Sequence, residues 1–315
     1  MPLSAKRVRK QLALLKPLLN TISLDTLRKG QEKVGELMGA KLRRHVIIKD
    51  HPFEQFSGAW VIPKDQRRQG VILYLHGGGY TCGGIEYARG VGSTLAVQCG
   101  TRVFCAAYRL APEHRYPAAL EDSLEAYRYL LDKGYQPEHI CLCGESAGGG
   151  LCYALCMKLQ ELSLPLPGCI LAISPWTDLT LSGDSYQLNR KKDPSMTQQA
   201  LDYFASSYTD DRLDPLVSPL FGDLSKLPPS LLFAGSDEIL VDDAQRLHKK
   251  LLESGRKSKL VVAPERWHGY VLYNLNENRE DFTTINQFLN QHIGPEKKLR
   301  WLKLDNAAKI YPASR

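Results

Sequence analysis

From residue 71 onward the chain alternates short, almost unbroken apolar runs with longer stretches of helical periodicity. The runs are VILYLH (71–76), RVFCAAY (102–108), HICLCG (139–144), CILAIS (169–174), SLLFAG (230–235) and KLVVAP (259–264). A strand with one wet face shows an apolar–polar alternation; these runs show almost none. They read as strands covered on both faces, as in a parallel sheet. Helical patterns at 87–99, 118–133, 146–161, 240–254 and 280–291 fall between or after them. Strand, helix and strand in that rhythm predict an α/β fold, a mostly parallel central sheet flanked by helices. Two further strand-like runs, RHVIIK (44–49) and AWVIP (59–63), come earlier in the chain.

Three regions stand outside the rhythm. Residues 4–19 and 24–39 read as amphipathic helices, with Val8, Leu12, Leu15 and Leu19 at helical spacing and Ser4 and Ser23 as caps. Residues 183–212 form a polar insertion with one helical piece near 197–207. The expected organisation is therefore an N-terminal pair of helices (1–40), a main domain (41–292) with an insertion near 183–212, and a tail (293–315). The first and the insertion are expected to join as a helical cap. In the tail, Trp301, Leu304, Ala307, Ala308 and Ile310 fit one apolar face, as in a terminal helix packed on the domain.

Charge and cysteine content narrow the function classes. The net charge is +7, much of it at the two ends. There the basic residues alternate with Leu, Val and Ile, and no stacking aromatics interleave with them, so solvated helix faces are expected and nucleic acid is not. Cys82, Cys99, Cys105, Cys141, Cys143, Cys152, Cys156 and Cys169 include no C-x-x-C pair and fall mostly in apolar runs. Buried thiols are expected, with no metal and no disulfide framework. That favours a reducing compartment, and a cytoplasmic location is the expectation. The first 19 residues carry charges where the apolar core of a signal peptide would lie. No run approaches the length of a membrane span, so no stable membrane insertion is expected.

The chemistry-bearing residues sit at strand ends. Gly144-Glu145-Ser146-Ala147-Gly148 fits G-x-S-x-G; it follows the HICLCG run and opens a helical pattern. A serine in that turn projects its hydroxyl from the carboxyl end of the sheet above a helix N-terminus. His76-Gly77-Gly78-Gly79 ends the VILYLH run. Consecutive glycines there suit backbone N–H groups that approach a ligand. The amides of Gly77, Gly78 and Ala147 are the expected oxyanion hole. His76 is expected to shape the loop. A serine hydroxyl needs a base. His268 follows the KLVVAP run and comes late, matching the order Ser, acid, His. Asp237, just after SLLFAG, is the favoured acid, with Glu238, Asp242 and Asp243 as rivals. Asp242 and Asp243 look like first-turn carboxylates of the next helix.

These motifs, taken in order, resemble one family. His76-Gly-Gly-Gly79, Tyr108-Arg-Leu-Ala-Pro-Glu-His-Arg-Tyr-Pro-Ala-Ala119, Gly144-Glu-Ser-Ala-Gly-Gly149, Ser174-Pro-Trp-Thr-Asp-Leu179, Asp214-Pro-Leu-Val-Ser-Pro-Leu220 and His268-Gly269 are similar to those of hormone-sensitive-lipase-like carboxylesterases. The resemblance runs from about residue 40 to 292. It implies an α/β-hydrolase fold with a helical cap, and cofactor-free hydrolysis of short- to medium-chain acyl esters such as acetyl esters. It implies Ser146, Asp237 and His268 as the triad, and Gly77, Gly78 and Ala147 as the oxyanion hole. The chain departs from the family at Glu145, where members often have Asp, and at Glu238, where they often have Pro. Glu145 is expected to support the loop rather than react. Amide or lactone hydrolysis by the same triad, and ligand binding on a hydrolase scaffold, are the alternatives. The expected partner is a small acyl ester; a homodimer stays open.

Overall fold

A computed structural model describes residues 4–273, 275 and 278–296. Its frame is an eight-stranded sheet: β1 (Val46–Pro52), β2 (Ser57–Pro63), β3 (Val71–Leu75), β4 (Arg102–Ala107), β5 (Ile140–Glu145), β6 (Cys169–Ile173), β7 (Ser230–Gly235) and β8 (Ser258–Ala263). The spatial order is β1-β2-β4-β3-β5-β6-β7-β8. β2 pairs antiparallel with both β1 and β4, and the six strands from β3 to β8 are mutually parallel. Every residue of β3, β5, β6 and β7 is buried, as unbroken apolar runs require. β8 departs from that pattern. It is the sheet edge, only partly covered, and Val262 is exposed there.

Helices cover both faces: α3 (Ile85–Cys99), α4 (Ala118–Asp132), α5 (Ala147–Glu161), α8 (Val241–Glu253) and α9 (Arg279–His292). All eight cysteines are buried free thiols, most of them small apolar spheres in the two large core clusters on either side of the sheet. Arg68 is wholly buried among Asn286, Asn290, the Cys99 carbonyl and Glu296, and it ties the strand-β3 entrance to the end of α9. The tail expected to pack as a terminal helix lies, from residue 297, outside the described residues.

The N-terminal segment folds as α1 (Ala5–Leu15), a 3-10 turn (Lys16–Asn20) and α2 (Leu24–Leu42). Ser4 and Ser23 cap the two helices by accepting the N–H of Arg7 and Thr26. α2 crosses α3 with backbone touching backbone. A Cβ on Gly35 would lie 2.3 Å from the Glu86 carbonyl oxygen, and one on Gly90 would lie 2.3 Å from that of Gly35. The Glu32 carboxylate accepts the N–H groups of Glu86 and Tyr87, capping α3 from outside its own chain segment. The insertion contributes a short α6 (Ser185–Leu188), not anticipated from sequence, and α7 (Gln198–Tyr208), capped by Thr197. Lys16 donates to the carbonyls of Arg190 and Asp193, and Thr197 hydrogen-bonds Asn20, so the two extra segments meet.

Candidate active site

The loops at the carboxyl ends of β3, β5, β6, β7 and β8 converge. Ser146 sits between β5 and α5 at φ 56°, ψ −124°, a backbone conformation a side chain rarely tolerates. The flanking glycines show why the turn is possible. A Cβ on Gly148 would fall 2.0 Å from the Leu75 carbonyl oxygen, and one on Gly144 2.3 Å from that of Gly148. Sharp reversal into α5 thus needs bare backbone on both sides of the serine. The Ser146 amide donates to the Ile173 carbonyl (3.0 Å) and its carbonyl accepts the Trp176 N–H (2.9 Å), which fastens the turn to the end of β6.

The same β6 exit loop holds the histidine. Ser174, at φ 48°, accepts the Gly269 N–H on its Oγ at 3.0 Å, next to His268. Sequence reasoning gave Ser174 no role; its serine-proline context looks like any turn. His268 Nδ1 lies 3.4 Å from Glu238 Oε2, and Glu238 is completely buried. Burial drives the Glu238 carboxyl above its usual range, while His268 and the Ser174 hydroxyl favour its ionised form. Burial pulls the His268 imidazole down, but Glu238 at 3.4 Å, with the charges of Asp193 and Glu145 behind it, outweighs this, and its pKa is raised. At 3.4 Å the pair is longer than a strong charge-assisted bond, a looseness common before substrate binds.

Asp237, the acid expected beside His268, faces elsewhere. Its carboxylate pairs with Arg9 of α1 at 2.8 Å, and its N–H donates to the Arg266 carbonyl. The physical reason is the turn after β7. There Glu238 is buried together with the apolar Ile239-Leu240 that follow it, while the Asp237 side chain stays partly exposed against Arg9. A carboxylate followed by two buried aliphatics was the signal that could have singled out Glu238. Asp242 and Asp243 are first-turn residues of α8, as expected. Asp243 is buried and accepts the N–H groups of Thr177 and Asp178 and the Tyr186 hydroxyl.

The glycine loop after β3 also differs in detail. The Gly77 N–H, expected in the oxyanion hole, donates to Glu145 Oε1 at 2.7 Å and is not available to a ligand. Among the described residues the N–H groups of Gly78 and Gly79 have no hydrogen-bond acceptor. Both glycines have positive φ, 126° and 62°. A Cβ on Gly78 would collide with the Cys82 carbonyl, and one on Gly79 with the Phe204 ring of α7. Ala147 is the first residue of α5, where helix amides lack an internal acceptor.

Glu145 holds this loop, in line with the supporting role expected of it. Its buried carboxylate accepts the Gly77 N–H and the hydroxyls of Tyr74 (2.7 Å) and Tyr87 (3.0 Å). Burial outweighs those donors and raises its pKa to about 6. His76 is a loop-shaping residue: its ring stacks on Tyr108 (4.1 Å between centroids), its carbonyl accepts the Tyr108 hydroxyl, and burial lowers its pKa to about 4. Such a histidine is neutral near pH 7. Among the described residues no group of His, Cys, Asp and Glu side chains is arranged to hold a metal ion, and no helix is long and apolar enough to cross a membrane.

A mostly parallel sheet of this order, with a strained serine between its central strand and the following helix, defines the α/β-hydrolase fold. Known proteins agree. A family model described as the alpha/beta hydrolase fold matches residues 72–272. The acetyl-hydrolase of Streptomyces hygroscopicus is 38% identical over 243 residues, 76% of this chain and 81% of that protein. The crystal structure of an esterase from the bacterial hormone-sensitive lipase family superposes with a TM-score of 0.81 at 31% identity, covering 93% of this chain and all of that one. That of EstE5 soaked with p-nitrophenyl butyrate gives 0.81 at 33% identity, over 89% and 97% of the two chains. The chain belongs to the hormone-sensitive-lipase-like family of α/β-hydrolases and is, by class, a carboxylic ester hydrolase.

Proposed function

We propose that this protein hydrolyses short-chain acyl esters through a Ser146–His268–Glu238 triad, with the amides of Gly78, Gly79 and Ala147 as oxyanion hole. The observation that carries this reading is the buried His268–Glu238 pair, in a loop tied through Ser174 to the same β6 exit that fastens the strained Ser146 turn. His268 takes the Ser146 proton as Oγ attacks the ester carbonyl. The carbonyl oxygen gains a negative charge and is held by the three amides. His268 then protonates the leaving alcohol, and an acyl-enzyme remains. Water, deprotonated by His268, releases the acid and restores Ser146. Glu238 stays ionised, fixes the imidazole tautomer and stabilises the imidazolium. No cofactor enters any of these steps.

The short acyl preference rests on the wall above the glycine loop. The Phe204 ring lies against Gly79, and Tyr208 stacks on Tyr80 at 3.8 Å between ring centroids. α7 thus sets Phe204 on Gly79 and Tyr208 on the Tyr80 that follows, bulky side chains that favour a small acyl group there. The acetyl-hydrolase relative is consistent with such a site. On this reading the N-terminal helices and the insertion act together as the cap.

The test is hydrolysis of p-nitrophenyl esters from acetate to decanoate at pH 8, beside Ser146→Ala. Turnover should fall with chain length, and the variant should lose at least about 10⁴-fold in kcat. Full turnover by the variant would refute the assignment.

A further inference from the structure

The turn that carries Glu238 has two long backbone bonds of its own, Glu238 N–H to the Gly235 carbonyl at 3.3 Å and Val241 N–H to the Glu238 carbonyl at 3.4 Å. Its backbone is gripped from the insertion. Asn189 Nδ2 donates to the carbonyls of Ser236 (3.0 Å) and Glu238 (2.9 Å). Asp193 Oδ2 accepts the N–H of Ile239 at 2.9 Å. Its other oxygen, Oδ1, accepts the N–H and hydroxyl of Ser195 and the N–H of Met196. Ser185 Oγ donates to the Ile239 carbonyl at 2.7 Å. Asn189 and Asp193 are both buried, so these bonds are shielded from competing water. The insertion is held in turn by α1, where Arg9 donates to the Lys192 carbonyl and Lys16 to that of Asp193.

We infer that Asp193, with Asn189, is a positioning residue for the triad acid. One carboxylate oxygen organises the insertion's own turn and the other fixes the peptide that follows Glu238, so the segment that shapes the acyl site also sets the acid's aim at His268. Among the described residues Asp193 makes no side-chain ion pair. Its charge is satisfied by four hydrogen-bond donors from three residues, two in the insertion and one in the acid turn. The inference rests on the triad reading above.

The experiment uses the full chain and measures kcat per active site, titrated with a fluorophosphonate, together with KM for p-nitrophenyl acetate. Asp193→Asn keeps an oxygen for Ser195 and Met196 but sets an amide donor against the Ile239 N–H. It should lower kcat about 10- to 100-fold with KM changed less than about threefold, since misaimed groups lose rate before binding. It should also move the acid limb of kcat/KM to lower pH. Glu238, Asp193 and Glu145 are the carboxylates that hold the His268 pKa up, and the variant removes one and loosens another. Asn189→Ser should act in the same direction and serves if Asp193→Asn does not fold. Ser195→Ala, which loses only the hydroxyl contact inside the insertion, should keep wild-type kcat. A folded Asp193→Asn with wild-type kcat per site overturns the inference. So does an equal loss in Ser195→Ala, or an unchanged Asn189→Ser where that variant has to decide. A wild-type protein that hydrolyses none of the esters would instead sink the functional reading itself.

Discussion

The turns that carry Ser146 and Glu238 are built on different plans. Gly144–Gly148 is determined where it stands: remove either glycine and a Cβ meets backbone within about two ångströms. Its strain is covered by residues immediately before and after it and by the strands alongside. The turn at 236–239 leans more on distant residues. Its entrance is as crowded, since a Cβ on Gly235 would lie 2.4 Å from the Arg266 backbone, but the residues that follow are gripped by Arg9, Asn189, Asp193 and Ser185, all distant in sequence. A motif can therefore point to Ser146, whereas Glu238 has to be seen in place.

The sharpest break of that comparison is Gly148→Ala. Its methyl would press on the Leu75 carbonyl, which belongs to a central strand and cannot yield. A loss of about 3 kcal/mol or more is expected from such overpacking, read as a lowered denaturation midpoint or as insoluble protein. Next comes the pair Glu238→Gln and Asp237→Asn. The first should cost about 10³- to 10⁴-fold in kcat, as when a triad acid elsewhere is made neutral; the second should stay within about threefold of wild type. The reverse ranking would return the role to Asp237.

The same pair predicts a pH profile. The base must be neutral to act, and the His268 pKa is raised, so the acid limb of kcat/KM should lie above pH 6.5. Removing the Glu238 charge lowers the imidazole pKa and should shift that limb to lower pH in Glu238→Gln, while Asp237→Asn leaves it in place. A stopped-pH series on both variants checks the sign.

At Glu145 the expected loss of stability is comparable to that of Gly148→Ala. Glu145→Ala leaves the Gly77 N–H, the buried Tyr74 phenol and the half-buried Tyr87 phenol without this acceptor, at about 1–3 kcal/mol for each buried group left unpaired. Glu145→Gln keeps one oxygen for Gly77 and should retain most activity, which separates a role as acceptor from a role as charge. The smallest effect is at Arg9, whose pair with Asp237 is a third exposed on the arginine side. Arg9→Ala should cost about 1 kcal/mol or less in stability, with the midpoint falling further in low salt than in high.

How much of this was legible in the sequence follows the same division. The strands from 71 onward fall within a residue or two of the apolar runs, because burial on both faces leaves a pattern no loop imitates. The helices starting at Ala118, Val241 and Arg279 were legible for the complementary reason, an apolar stripe of helical period, whereas those at Ile85 and Ala147 are buried over most of their surface. α6 was not: four residues make too short a pattern to stand out from a polar loop. Residue type and distance from the strand left Asp237 and Glu238 unranked; the Ile239-Leu240 pair after Glu238 was the one local hint, and the residues that grip the turn lie far along the chain. Gly77 was misread for a related reason. Three glycines in a row announce close backbone contacts, but not that the first amide is spoken for by Glu145.

The glycine seam between α2 and α3 bears on how substrate reaches the serine. Two helices whose backbones touch cannot slide or hinge against one another without opening a bare peptide surface, so α2 is a fixed wall. It also carries Gln31, whose amide donates to the Gly77 carbonyl. The insertion, hydrogen-bonded to the N-terminal segment, carries the grip on the Glu238 turn through Asn189 and Asp193. A rigid-body swing of either segment would disturb the loop or the turn that it holds.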